Sequence, residues 1–346
     1  MKKFKRLVGR KEKDTAKRYE GLNKPQYTLN HLVKERYPKF EDALRDLDDA
    51  LSTCALFDTL PVDKRRDIPP QAIYDSARVM SEFQLYCIRE RRLRKVFASI
   101  KGYYFQVDIS GVPITWLCPH RFTQGLPAEV DFKVMLTFLD LHRTVLKFIN
   151  YRLFTQAGVK YPPTVEHKAK IHASKVAALK VEFFDDQMKP SADVDVEKAV
   201  QDDFGDVEEV KEMQKKSSAE KRQQSVFQGL TVYIGRECPF DPLYFCLRAC
   251  GAEVGWSREG SPFTEDAEHV THQIIDRPME QITVKPGREY VQPQWVFDCV
   301  NEGARLAISD YVPGRAPPPH LSPFVDHDVE GYVPERRQEL SRLVGD

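Results

Sequence analysis

Residues 185 to 224 set the first limit on how this chain folds. The stretch is rich in Asp, Glu, Lys, Ser and Gln and carries few large apolar residues, so burial there cannot offset the entropy of ordering the backbone. The sequence on either side must supply the cores, and 346 residues is a length at which about two domains are expected. The stretch is therefore read as an acidic linker, partly helical, between two folded regions.

Charge is balanced overall, with 52 basic and 52 acidic side chains, yet it is unevenly placed. Residues 1 to 24 hold ten Lys or Arg against Glu12, Asp14 and Glu20, whereas residues 182 to 223 hold thirteen acids against seven bases. A basic arm favours a polyanionic partner and an acidic segment repels one. The seven cysteines, Cys54, Cys87, Cys118, Cys238, Cys246, Cys250 and Cys299, show no CxxC spacing and follow no apolar signal segment, a pattern expected of reduced thiols inside the cell. Phe132 to Phe154 is the longest apolar stretch, but Lys133, Asp140, Arg143, Lys147 and Arg152 interrupt it. Such charges are costly at a bilayer centre, so it is read as a buried helix of a soluble protein.

Upstream of the linker, Leu29, Leu32 and Val33, then Phe40, Leu44, Leu47 and Leu51, recur at helical spacing on either side of Pro38, which predicts two helices broken at the proline. Ile73 to Ile100 continues the spacing through Val79, Phe83, Leu85, Ile88 and Leu93 and predicts a further helix. Tyr103 to Ile109 and Val112 to Leu117 are aromatic and β-branched and meet at Ser110-Gly111, a hairpin signal. A long helix at 131 to 154 opens behind Asp131, and Pro162-Pro163 stop it from being followed by regular structure.

Downstream, Leu230 to Ile234 reads as a strand, with Gly235 permitting a sharp turn. Asp241 and Pro242 are expected as N-cap and first residue of a helix, with Leu243, Cys246, Leu247 and Cys250 on one face and Gly251 closing it. Ala252 to Trp256, Val270 to Ile275 and Tyr290-Val291 supply more strands, and Gln292-Pro293 opens a last helix. Alternating strands and helices predict a mainly parallel α/β sheet. The tail after Pro313, rich in proline and charge, is expected to be extended.

The spacing from Phe227-Gln228-Gly229 through Cys250-Gly251-Ala252-Glu253-Val254 to the run Val291 to Cys299 (VQPQWVFDC) resembles a BRCT domain over roughly 225 to 313. Gly235, Gly251, Trp295 and Cys299 are its expected structural residues, Trp295 as a core anchor. The runs Tyr27 to Pro38, Asp42 to Leu51, Arg94 to Gly102 and Val130 to Leu139 are similar to those of the Pescadillo family, and with the downstream half in order the resemblance covers nearly the whole chain. It implies an α+β multidomain fold: a basic arm at 1–26, a mainly helical Pescadillo N-terminal domain with a small β-hairpin at 27–184, the linker at 185–224, a BRCT domain with a four-stranded, mainly parallel sheet at 225–313, and an extended tail at 314–346. It also implies further family sequence upstream, with another basic and aromatic motif, and a charged coiled-coil-like tail downstream. The chain is thus expected to be trimmed at both ends, with disordered segments removed and a join near the acidic stretch.

The same resemblance implies a non-catalytic assembly factor for the large (60S) ribosomal subunit in the nucleolus and nucleoplasm. Its implied partners are precursor rRNA, a block-of-proliferation family protein and a WD-repeat protein in a trimeric complex, and other pre-60S factors. The implied role is maturation of the 5.8S and 25S/28S rRNAs through the second internal transcribed spacer, with no cofactor, metal or membrane. Such work needs cations for phosphates and aromatic faces for unpaired bases. One candidate RNA contact is the arm Lys2, Lys3, Lys5, Arg6, Arg10, Lys11 and Lys13. The other is Arg89, Arg91, Arg92, Arg94, Lys95 and Lys101, which a helix would spread over a broad sector, against the plainer reading of a solvated helix face. Tyr103 and Tyr104, which follow, read as core.

Competing chemistry is thinner. Many BRCT domains bind phosphopeptides through a Ser or Thr and a glycine amide after the first strand and a Lys on a second helix; here Gly235 follows Ile234, and 277 to 288 contains Pro278, Pro286 and Gly287, so Lys285 is a poor equivalent. That weakens the alternative of a BRCT adaptor in DNA repair or cell-cycle signalling. His269 and His272 beside Cys238, Cys246 and Cys250 could be drawn as a zinc site, but cysteines on an apolar helix face read as small hydrophobes. Asp46 and Asp49 with Glu41 or Asp42 could be drawn as a metal-dependent nuclease cluster, but interleaved with Leu they read as an outer helix face. No GxxxxGK[ST] loop is present.

Overall fold

A computed structural model describes residues 27–63, 68–121, 126, 129–165, 176–184, 217–326 and 331–344. The basic arm, including Lys2, Lys3, Lys5, Arg6, Arg10, Lys11 and Lys13, and the acidic stretch 185–216 lie outside the described residues. The chain separates by packing into Met1–Lys39 and Phe40–Asp346. In the first, α1 (Leu29–Arg36) starts behind an extended Thr28, whose backbone N–H donates to His31 Nδ1 at 3.3 Å.

The second body opens with α2 (Phe40–Arg45), α3 (Leu47–Thr59) and α4 (Pro70–Arg89). Leu44, Leu47, Leu51, Cys54 and Phe57 are buried along one side of α2 and α3, as their spacing requires. Pro70 occupies the first turn of α4, where a missing N–H costs nothing. The long helix α5 (Phe132–Gln156) is capped by Asp131, whose carboxylate accepts from the N–H of Lys133 at 2.9 Å and of Val134 at 3.3 Å. Asp75 pairs with Arg143, Val79 O accepts from Asn150 at 3.1 Å, and Tyr86 meets Phe154. These pairs advance together, so α4 and α5 run side by side in the same direction.

The single helix expected from Ile73 to Ile100 ends at Arg89. Arg91 turns left-handed, with φ 49°, the Arg92 N–H donates back to Cys87 O at 2.9 Å, and the Arg91 N–H to Ile88 O at 3.3 Å. This is a Schellman stop with arginine in the place where glycine usually signals it. The chain then becomes β1 (Leu93–Ser99), which joins β2 (Gly102–Ile109) and β3 (Val112–Pro119) in an antiparallel sheet. The expected hairpin is β2 and β3, turned at Ser110 and Gly111 with φ 55° and 78° as a type I′ turn demands; the third strand was read as helix. Two short strands, β4 (Thr164–Val165) and β5 (Leu179–Lys180), pair beyond α5.

Past a helical stretch at 217–224, β6 (Thr231–Ile234), α6 (Phe240–Ala249), β7 (Glu253–Trp256), β8 (His272–Ile274), β9 (Glu289–Val291) and α7 (Pro293–Glu302) follow. The four strands form a wholly parallel sheet in the order β7-β6-β8-β9. Helix α6 starts two residues earlier than expected: Pro239 is the N-cap and Asp241 lies in the first turn, where its charge still complements the helix dipole. Gly251, with φ 95°, closes α6 as expected. The tail is not extended throughout. Residues 335–344 form α8 (Glu335–Val344), held by Arg337 donating to both Glu302 carboxylate oxygens at 2.7 and 2.9 Å and by buried Leu340.

The two halves of this body share one core. On one face of the antiparallel sheet, Phe105 and Trp116 receive Phe83 from α4 and Phe245 from α6, with ring centroids 5.2 to 6.2 Å apart. Each such ring contributes about 1.5–3 kcal/mol by burial. The free edge of β1 is not left open either. The Asn301 side chain accepts from the Val96 N–H at 2.9 Å and donates to Val96 O at 2.8 Å, His320 Nε2 accepts from the Ala98 N–H at 3.0 Å, and Gln223 donates to Arg94 O. Side chains from the downstream half thus do what a fourth strand would do for an exposed edge.

Candidate functional site

The basic run divides among three neighbourhoods. Arg89, the last residue of α4, lies over the Phe183 ring at 4.6 Å and near Glu90 at 3.3 Å. Arg91 donates to Gln224 O at 3.2 Å, and Arg94 on β1 donates to Arg91 O and meets Glu220 at 3.6 Å; both tie the sheet to the helical stretch 217–224. Arg92 is half-buried beside Tyr86, and Lys95 lies over the Phe324 ring at 5.6 Å. Lys101 stands exposed at the β1–β2 turn next to Ile100, which is fully exposed. Arg91, Arg94 and Lys95 therefore contribute to joining the halves, while Arg89 and Arg92 pack within the upstream half, and a strand rather than a helix carries Arg94 and Lys95.

Gly235, Gly251, Trp295 and Cys299 all sit where the parallel sheet meets its helices. Trp295 is buried against Phe227 and stacks on His272 at 5.5 Å, with its indole N–H donating to Leu306 O at 3.0 Å. Burial holds His272 below its ordinary range. Cys299 Sγ accepts from the Leu306 N–H at 3.3 Å. The Gly235 N–H donates to Ile274 O at 2.8 Å, and a Cβ at Gly235 would fall 2.9 Å from the Glu237 carboxylate. A phosphate would meet a used donor and a negative charge there.

The thiols drawn into a zinc reading are buried. Burial pushes Cys250 up to about 12 and Cys246 well above its ordinary value. His269 packs on Phe263 and His272 on Trp295. Among the described residues no group of three or more His, Cys, Asp or Glu could hold a metal ion, and no helix is long and apolar enough to cross a membrane. Glu41, Asp46 and Asp49 are exposed on the outer face of α2 and α3.

A cavity of about 350 Å³ lies beyond the carboxyl ends of β6 and β7, where parallel sheets commonly bind ligands. Tyr103 and Phe105 wall it from one half, Phe240 and Trp256 from the other, and Arg121, Arg236 and Arg258 are among its lining residues. Arg121 meets Asp241 at 3.4 Å. A second cavity of about 580 Å³ shares Tyr103 and Pro239 with it and includes Arg277, Arg315 and His320. The arrangement offers cations and aromatic faces.

Residues 1–195 match the family model of the Pescadillo N-terminus. Pescadillo homologues from rice and from the sea anemone Nematostella vectensis are 40% and 39% identical over 99% and 98% of this chain, and one from Xenopus tropicalis is 38% identical over 99%. The chain belongs to the Pescadillo family. It spans 61% of the rice relative and 62% of the frog one, under two thirds of either. The relatives bear the Pescadillo name and not that of an enzyme. The matched model ends within the acidic stretch, so the parallel α/β half of this Pescadillo-family chain stands on the whole-length relatives. Sequence reading missed Arg121, Arg236 and Arg258. A usable signal was present: Arg236 and Arg258 each come two residues after a strand end, at Ile234 and Trp256.

Proposed function

We propose that this chain is a non-catalytic assembly factor for the large ribosomal subunit. In this reading it binds precursor rRNA and partner proteins in the nucleolus and nucleoplasm, and it is required for maturation of the 5.8S and 25S/28S rRNAs through the second internal transcribed spacer. The observation that carries the reading is the family match, which extends through both halves of the chain. The joined halves suit a scaffold: a body that holds RNA and several proteins gains from fixed spacing, since binding elements already in place lose less entropy on association. The parallel unit at 225–313 is read as a BRCT domain, with Trp295 as its anchor, and its partners as a block-of-proliferation family protein and a WD-repeat protein in a trimeric complex.

The adaptor reading in DNA repair or cell-cycle signalling needs a phosphate cradle after the first parallel strand, and Glu237 over Gly235 disfavours it. RNA crosslinking with sequencing on the protein purified from cells tests the proposal, comparing wild type with a variant neutralised at the seven basic residues from Lys2 to Lys13. The expected result is crosslinks concentrated at the junction of 5.8S rRNA and the adjoining spacer, reduced in the variant. Absence of rRNA enrichment in the wild-type protein would overturn it.

A further inference from the structure

We infer that the crevice beyond β6 and β7 is a contact site for single-stranded RNA, with one unpaired base entering the cavity walled by Tyr103 and Phe240 and the adjoining phosphates lying on Arg236, Arg258 and Arg121. The inference deepens the proposed function and rests on its RNA-associated reading, but it uses other residues than the basic arm and the run at 89 to 101.

Three observations carry it. First, Arg236 and Arg258 are exposed on separate loops at the ends of neighbouring parallel strands, with no ion-pair partner among the described residues. Loops that follow the same edge of a parallel sheet converge, so the two guanidiniums meet at one cavity although the chain separates them by a helix and a strand. Second, the cavity beneath them is about 350 Å³, within the range of small-ligand sites. Half-exposed Tyr103 and Phe240 among its lining residues offer faces on which a planar base can stack. His120, edge-on to Tyr103 at 5.0 Å, and Asp241 supply polar edges without displacing a buried group. Third, the cations are spread over several loops. A single phosphate on a peptide would need a tight cradle, and the amide of Gly235 is already bonded to Ile274 O beneath the Glu237 carboxylate. Separate exposed guanidiniums instead suit successive phosphates of a strand, each contributing sequence-independent affinity.

The second cavity extends the path. It shares Tyr103 and Pro239 with the first and carries Arg315, also exposed and unpaired among the described residues. A strand leaving the base site can therefore pass over the Tyr103 edge towards Arg315. The acids at hand are Asp58 and Asp241 on the first cavity, Asp276 on the second and Glu237 nearby; Asp241 is held by Arg121 at 3.4 Å and Glu237 by Arg277 at 3.3 Å.

The test uses the whole chain and a fluorescein-labelled single-stranded RNA of mixed sequence, with affinity followed by anisotropy across a salt series. Arg236→Gln with Arg258→Gln removes two exposed charges and touches no core residue, and an unchanged melting curve checks the fold. The double variant should bind roughly tenfold more weakly at physiological salt, and its log–log salt slope should fall by about 1.4, the value for two phosphate contacts on a single strand. Ultraviolet crosslinking of the wild type should leave nucleotide adducts on Tyr103 or Phe240. Wild-type affinity and slope in the double variant would overturn this site while leaving the RNA-associated reading in place on the arm. Failure of the wild-type chain to bind RNA would overturn both. Competition by a phosphoserine peptide, with adducts absent from both aromatic residues, would overturn the RNA assignment in favour of a peptide site.

Discussion

Asn301 satisfies two backbone groups that no strand reaches. Its amide both accepts from and donates to Val96, so Asn301→Ala leaves a donor and an acceptor without partners at the joint between halves. The expected loss is about 2–4 kcal/mol, from two orphaned groups at about 1–3 kcal/mol each with partial rehydration, read as a lower urea midpoint at unchanged slope. Asn301→Asp should recover little, because a carboxylate cannot donate to Val96 O; full recovery would contradict the bonding. Nothing in the sequence announced this residue, since its partner is 205 positions away. Arg91 was illegible for a different reason. A left-handed residue is normally glycine or asparagine, and an arginine there reads as one more helix former, which is why the stop of α4 was missed and Arg94 and Lys95 were placed on a helix.

At the scale of elements, the periodic helices and the β2–β3 hairpin were readable because their apolar faces are regular and their caps use ordinary chemistry: Asp131 on α5, Pro293 on α7, Ser110-Gly111 in the turn. β1 was not readable, because its outward edge is completed by side chains from distant sequence. α8 escaped notice because its few apolar residues, Leu340 and Leu343 among them, are outnumbered by charge. Its hold on the body makes a pH prediction. Burial raises the Glu302 carboxyl above its ordinary range, and Arg337 opposes that shift. A carboxyl raised in the folded state favours folding at low pH and opposes it as pH rises through the folded value. Arg337→Ala removes the opposing charge, so the variant should be less stable than wild type at neutral pH by about 1–3 kcal/mol, the cost of leaving a buried charged partner unpaired, and the deficit should shrink as pH falls through the carboxylate range. A deficit independent of pH would mean that Arg337 acts by packing alone.

At the scale of the whole molecule, the order of elements was legible: helices with a hairpin first, a parallel sheet second. Their union was not, because the rings that make it, Phe83, Phe105, Trp116 and Phe245, come from four segments far apart in sequence, and Phe245 lies off the α6 face whose spacing was read. The crevice that carries Arg121, Arg236 and Arg258 exists only because the halves are joined, and so does the fixed spacing on which a scaffold depends. Hydrogen exchange of the whole chain, followed by mass spectrometry through a series of sub-denaturing urea concentrations, tests that union most directly. If Phe40–Asp346 is one cooperative body, peptides from β2 and from β6 should lose protection with the same free energy and the same urea dependence. Loss of protection in β6 while β2 stays protected would contradict it, and would make the two halves independent modules on a linker.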